Sequence, residues 1–572
     1  MNTITIEQNV PARMRDGVTL YADVYRSSEH GQSPVLLCRL PYGKDMSLSH
    51  MLQSMHVLRA VRSGYIVIIQ DCRGRFSSEG QFDYCAHEGN DGYDAVEWAA
   101  QLPYSNGVVG MFGGSNLGWT QWSAAQMQPP HLKAIAPMQT WTDHSGMRFR
   151  GGAFELGDAL RWRLNMSLNK LAREMAAAGK SQEEIEAAIR LIFDYLDYLG
   201  ERGYYELPLR HIKSLEKVGL ADIIGVLLDL APGKQQDGMR ILHENVDVPS
   251  LNIAGWYDVF QQYTIDNFVA IRAKGRDLAA RSHLLIGPWT HGGYNNGPGM
   301  MVGEINFGMA ASGSSIDFKE DITDIHLRWF DHWLKNIDNG VEKEQPVTYL
   351  LTGENRWVKS QDWPPAGAHV QQLYLCANSH LSFSRPGSEG GSTSYVYDPM
   401  NPAPTLGGNI VLERSGVRDQ RSLSKRPDVL TFTSGVLEQP IQVAGRISAD
   451  LWISSSAPDT DFVARLIDLH PDGYMYNLCD GILRARYRNS LTEAEWLQPN
   501  KVYELKVDLW SAAHVFKPEH RLAVQITSSS FPRWDRNWNT TETPGSATGG
   551  QTARQTIWHN FEYPSCIYLP VI

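Results

Sequence analysis

Positive charge, paired cysteines and long apolar runs are all scarce in this chain, and each scarcity argues against a class of function. Over 572 residues, 52 Lys and Arg are set against 63 Asp and Glu, giving a formal net charge of -11. Nucleic-acid binding draws its affinity from neutralising phosphates with Lys and Arg, so no nucleic-acid partner is expected. The six cysteines (Cys38, Cys72, Cys85, Cys376, Cys479 and Cys566) form no Cys-x-x-Cys pair. That argues against a zinc ribbon or a dense disulfide framework and leaves buried reduced thiols as the expectation. No stretch approaches the roughly 18 apolar residues needed to cross a bilayer, and Met1 to Asn9 lacks the basic flank and apolar core of a signal peptide. A soluble, cytoplasmic protein with no membrane partner is expected. His87-Glu-Gly-Asn-Asp91 and His243-Glu-Asn-Val-Asp247 both lack the second histidine of His-Glu-x-x-His, so neither a metal nor another cofactor is expected. There is no internal repeat.

What remains is an ordered globular composition, 42% hydrophobic and rich in Trp and Tyr, on a chain too long for one core, since single cores stop growing near about 250 to 300 residues. Met14 to Tyr25 places an Asp-Gly turn before an alternating run, the signature of an antiparallel hairpin. Pro34–Cys38, Tyr65–Ile69, Val108–Phe112 and Leu132–Ala136 are short apolar runs separated by segments of helical length. Strands buried on both faces of a mostly parallel sheet read this way. From about 145 to 245 the strand signal stops. There Ser181-Gln-Glu-Glu184 caps a stretch with Ile185, Ala188, Ile189, Ile192 and Leu196 at helical spacing. Strands resume at Ser250–Ala254 and His283–Ile286, so the helical stretch is an insertion placed to act as a lid. Beyond about 350, strands recur without helical periodicity, from Val347–Leu351 through Gln372–Leu375, Val429–Thr433, Ile447–Ile453, Val502–Leu509 and Arg521–Ile526, divided by turn-rich stretches such as Ser388–Ser394. This is the pattern of an all-β sandwich or jelly roll. The expected architecture is an α/β domain (1–144 and 246–350), a helical lid insertion (145–245) and a jelly-roll β-sandwich (351–572). Thr541 to Thr552, rich in Gly, Thr and Ser, is expected to be a surface loop.

Chemistry concentrates at three points. A serine hydroxyl is a poor nucleophile at neutral pH unless a tight turn exposes it beside a histidine base that a carboxylate orients. Val108–Phe112 is followed by Gly113-Gly-Ser115-Asn-Leu-Gly118 and then a helical run, which reads as strand, sharp turn, helix. The glycine expected two places after the serine is Leu117, and a glycine comes one place later. A glycine-rich turn in which Ser115 only caps the helix stays open at this point, whereas a dinucleotide loop needs Gly-x-Gly-x-x-Gly after the first strand and finds neither. In a hydrolase on such a sheet the acid and then the base follow the serine, each beyond a later strand. Gly255-Trp-Tyr-Asp258 follows Ser250–Ala254, and Gly287-Pro-Trp-Thr-His291 follows His283–Ile286. Singly, Asp258 could be a helix cap and His291 a loop histidine; together, in order, they make a Ser115, His291, Asp258 triad the expectation.

These motifs, with Arg39-Leu-Pro-Tyr42-Gly-Lys, Gln70-Asp-Cys-Arg-Gly74 with Ser78-Glu-Gly80, and Asp91-Gly-Tyr-Asp94-Ala-Val-Glu-Trp98, resemble the cocaine esterase and X-Pro dipeptidyl-peptidase family of α/β-hydrolase serine hydrolases over nearly the whole chain. In that family the nucleophile turn commonly reads Gly-x-Ser-x-x-Gly, which accommodates Gly118. The resemblance implies an acyl-enzyme mechanism on a small-molecule ester or amide, an oxyanion hole from the Asn116 N–H and the Tyr42 hydroxyl, and a possible homodimer. An aromatic residue usually follows the family's serine; Asn116 keeps the N–H but changes the pocket floor. Trp162 aligns with a lid aromatic and Phe260 lies two places past the acid; both are candidates for substrate binding, with core packing the alternative for each. Acyl transfer or dipeptidyl-peptidase activity with the same triad is the nearest rival function, and a non-catalytic binding protein a more distant one.

Overall fold

The computed structural model describes residues 3–29, 31–46, 54–84, 86–229, 239–274, 278–295, 299–387, 391–411 and 414–572; Cys85 and the first residues of the Ser388–Ser394 turn prediction lie outside them. Ten strands form the first sheet: β1 (Ile4–Arg13), β2 (Thr19–Ser27), β3 (Ser33–Leu40), β4 (Ile66–Asp71), β5 (Ser105–Gly114), β6 (Leu132–Met138), β7 (Leu251–Tyr257), β8 (His283–Thr290), β9 (Val347–Leu351) and β10 (Arg356–Ser360). Their order is β1-β2-β4-β3-β5-β6-β7-β8-β9-β10. The expected hairpin is β1–β2, antiparallel, with Gly17 of its turn at φ 89°. From β4 to β9 the neighbours are parallel. Every residue of β3, β4 and β7 is buried, as continuous apolar runs covered on both faces require. Helices Val57–Arg62 (α1), Glu88–Ala100 (α2) and Asn116–Ala125 (α3) connect the early strands.

Between β6 and β7 lies the helical insertion, dominated by α4 (Leu156–Ala177) and α5 (Gln182–Asp197), with a two-residue hairpin pairing Phe149 with Phe154 at its start. The capping box is present: the Ser181 hydroxyl accepts from the Glu184 N–H at 3.2 Å and the Glu184 carboxylate from the Ser181 N–H at 2.9 Å. Along α5, Ile192 is fully buried in a hydrophobic cluster with Leu156, Leu160 and Leu164, and Ala188, Leu191, Tyr195 and Leu196 pack against it, while Ile185 and Ile189 are half-buried. After β7 and β8, α6 (Gln261–Lys274) and α7 (Ile322–Lys335) complete the layer.

Two details differ from the sequence expectation. Val347–Leu351 is not the first strand of the all-β part. It is β9, parallel to β8 with Leu284 opposite Val347, and β10 then adds antiparallel to it. The first sheet therefore runs to Ser360, past the seam expected at 350, because a short apolar run reads alike in a parallel sheet and a sandwich core. The second detail is Gly391–Ser394, expected in a turn, which opens a strand paired with Ala553–His559.

The C-terminal part is all-β: β11 (His369–Cys376), β12 (His380–Ser382), β13 (Gly391–Tyr397), β14 (Leu430–Thr433), β15 (Ile441–Ser455), β16 (Asp461–Leu469), β17 (Met475–Arg484), β18 (Tyr503–Phe516), β19 (Arg521–Thr527), β20 (Ala553–His559) and β21 (Cys566–Val571). They follow the order β13-β20-β15-β21-β11-β12-β14-β19-β16-β17, and β18 pairs with β15. Residues 541–552 form a loop without strands or helices, as expected, and the carbonyls of Pro544 and Gly545 accept from Arg210 of the insertion. Of the cysteines, Cys38, Cys72, Cys479 and Cys566 are buried and Cys376 half-buried, none in a disulfide. Among the described residues no helix is long and apolar enough to cross a membrane.

Candidate active site

Ser115 sits between the end of β5 and the start of α3 with φ 59° and ψ -125°, a conformation that costs an L-residue roughly 1–3 kcal/mol and aims its side chain out of the sheet edge. The shifted glycine has a steric reason. A Cβ on Gly113 would lie 2.6 Å from the Leu117 Cβ, so Leu117 fills the space that the missing side chain leaves. A Cβ on Gly118 would meet Thr140 at 2.6 Å; the helix is pressed against the loop after β6 at position 118, not 117. Thr140 also donates its hydroxyl to the Ser115 carbonyl at 2.7 Å, and Gln121 caps the Gly113 carbonyl at 2.9 Å.

Three loops at the same sheet edge converge. His291 Nε2 is 3.0 Å from Ser115 Oγ, and its Nδ1 is 2.6 Å from Asp258 Oδ2. The other Asp258 oxygen accepts from the Phe260 N–H at 2.7 Å. The cap with a reciprocal Gln261 weighed for Asp258 from sequence is not formed: the helix starts at Gln261, whose side chain donates to the Ser511 carbonyl, and Asp258 closes only a local turn onto Phe260. Burial pushes the His291 pKa down, but Asp258, and after it Asp158, outweigh burial and hold the imidazole above its ordinary value.

Two braces were invisible in the sequence. Gln139, just after β6, donates from Nε2 to the Thr290 carbonyl and accepts at Oε1 from the Gly292 N–H, each at 2.9 Å, so it grips the backbone on both sides of His291. Asn409, from the C-terminal part, donates to the carbonyls of Trp256 at 2.8 Å and Asp258 at 3.0 Å. A glutamine or asparagine shows no pattern that distinguishes such a role before the chain folds.

Of the remaining predicted residues, Tyr42, Trp162 and Phe260 line one cavity of about 810 Å³ that also receives Ser115 and His291, and Asn116 is not among its lining residues. Tyr42, beyond β3, stands on one side, and the Trp162 indole N–H of α4 donates to its hydroxyl oxygen at 3.2 Å. Phe260 packs edge-on against the His291 ring, centroids 5.3 Å apart, and its other neighbour is Trp141, tilted at 50° with centroids 4.6 Å apart. Asn116, the first residue of α3, is buried. Phe193 of α5 and Val411 of the C-terminal part also reach the cavity, so insertion and β-part both contribute walls. Among the described residues, the charged groups facing it besides His291 are Arg75, Arg148 and Asp158, the last two 4.0 Å apart. Burial holds the Asp158 carboxyl above its usual range, against the pull of Arg148.

Comparison with known proteins places this geometry. Residues 16–293 match the model of X-Pro dipeptidyl-peptidase (S15 family), and residues 339–567 that of the X-Pro dipeptidyl-peptidase C-terminal non-catalytic domain. Cocaine esterase of Rhodococcus sp. (strain MB1 Bresler) is 34% identical, with 99% of each chain aligned. Among solved structures, an α-amino acid ester hydrolase superposes with a TM-score of 0.76 at 26% identity, covering 100% of this chain and 97% of the other. An aminopeptidase from the marine sediment archaeon Thaumarchaeota archaeon gives the same TM-score and identity, covering 100% and 96%. The chain belongs to the cocaine esterase and X-Pro dipeptidyl-peptidase family and is a serine hydrolase.

Proposed function

We propose that this enzyme hydrolyses esters of small, uncharged acyl groups through a Ser115 acyl-enzyme, with His291 as base and Asp258 as its orienting acid. Neutral His291 takes the Ser115 proton as the hydroxyl attacks the carbonyl, and Asp258 stabilises the imidazolium that forms. The Asn116 N–H and the Tyr42 hydroxyl receive the oxyanion. Trp162 donating to Tyr42 Oη polarises that hydroxyl toward giving up its own proton. Once the alcohol has left, His291 activates water and the acid is released.

The observation that carries the choice of acyl group is the charge lining the cavity. Asp158 is the one carboxylate among the described residues lining it, and Arg148 stands beside it while Arg75 adds a second guanidinium. A substrate ammonium needs unneutralised negative charge to offset its desolvation; a neutral acyl chain needs only the apolar walls given by Trp141, Trp162 and Phe260. Steady-state kinetics on a pair of aryl esters differing only in an α-hydrogen or α-ammonium tests this. A higher kcat/KM for the uncharged ester is expected, and preference for the ammonium ester would overturn the reading.

A further inference from the structure

A cluster of imidazoles around a carboxylate lies in the all-β part, among residues the hydrolytic mechanism does not use. Asp468 is near the end of β16, His470 opens the turn into β17, and His520 immediately precedes β19. Asp468 Oδ1 is 2.9 Å from His520 Nδ1 and Asp468 Oδ2 is 3.5 Å from His470 Nε2. One ligand atom from each of the three lies within 4.8 Å of the other two. The carboxylate is buried, at 2% side-chain exposure, whereas His470 and His520 keep 28% and 14%, so the group is closed behind and open in front. On the closed side His514 Nε2 is 3.1 Å from Asp468 Oδ2, and its Nδ1 is 2.8 Å from Thr352 Oγ1.

We propose that Asp468, His470 and His520 form a binding site for a divalent transition-metal ion of the zinc type, taken by one Asp468 oxygen, His470 Nε2 and His520 Nδ1, with the outward position left to water. Ligands at zinc distances of about 2.0–2.1 Å in a tetrahedron stand about 3.3 Å from one another, and the distances from Asp468 Oδ2, 3.0 Å to His520 Nδ1 and 3.5 Å to His470 Nε2, bracket that edge. Two imidazole nitrogens and one oxygen suit zinc, cobalt, nickel or copper; calcium and magnesium seek all-oxygen shells. His514, backed by Thr352, fixes the carboxylate's orientation as an outer partner does in metal sites. A bound ion would join the β16–β17 turn to the β18–β19 loop.

The test is calorimetric titration of zinc into chelator-treated, dialysed whole enzyme, beside His470→Ala and His520→Ala. Both histidines are partly exposed at turns, so the variants are expected to keep ester hydrolysis and near-UV circular dichroism unchanged. Saturable one-to-one binding by the wild type, weakened at least about tenfold in each variant, is expected, as is an X-ray absorption spectrum of the zinc-loaded enzyme with imidazole scattering and first-shell distances of about 2.0–2.1 Å. His369→Ala, at the exposed start of β11, serves as the control and should bind as the wild type does. No saturable binding by the wild type, or equal binding by wild type and both variants, would overturn the proposal.

Discussion

At the scale of single residues, the site rests on side chains whose proton states are set by their neighbours. His291 must be neutral to accept the serine proton, and Asp258 and Asp158 hold its pKa above the ordinary value. Activity therefore falls as pH drops through a pKa above about 6.5. Asp158→Asn removes one of the two negative charges that favour the imidazolium, so the acid limb of the kcat/KM profile should move to lower pH; a pH–rate profile shifted upward or not at all would contradict the electrostatic reading. Tyr42→Phe deletes a hydroxyl donor without changing the ring. A fall in kcat of about 10²–10³ is expected, as for loss of one oxyanion donor, in a protein with unchanged circular dichroism. Wild-type turnover in that variant would remove Tyr42 from the mechanism.

At the scale of elements, strands β3 to β8 were legible because a strand covered on both faces must be apolar throughout, and α5 because its cap and its inward face repeat at helical spacing. The order serine, acid, base was legible because each follows a strand of the same sheet. What could not be read depends on which loop touches which. Gln139 and Asn409 do their work through backbone carbonyls and N–H groups in distant segments, and the nearness of Arg148 to Asp158 arises only when the start of the insertion folds over the sheet edge. Asp468, His470 and His520 likewise lack a sequence spacing that marks them together, since a hairpin turn and a separate loop bring them there. The family's shifted glycine turns out to be a packing matter, with Leu117 over Gly113 and Gly118 against Thr140. Asn409→Ala leaves the triad side chains intact but frees the loop carrying Asp258. Because misplacement of about 1 Å can cost about 10²-fold, kcat is expected to fall by up to that factor with little change in KM; unchanged kcat would show that the acid loop holds its position without the C-terminal part.

At the scale of the molecule, the all-β part is built into the active-site architecture rather than appended to it. The Tyr257 and Tyr476 hydroxyls meet at 2.8 Å one residue before Asp258, Ser511 donates its N–H to Gln262 at 2.8 Å, and Val411 reaches the cavity wall. The insertion closes the other side with Trp162 and Phe193. All three parts meet over one serine, and the central claim is that this serine is the activated nucleophile. Intact-mass measurement after exposure to a fluorophosphonate, with Ser115→Ala alongside, tests it most directly, because such reagents trap serines whose proton a base can remove. A single covalent adduct on the wild type and none on the variant is expected; an adduct of equal yield on Ser115→Ala, or none on folded wild type, would contradict it.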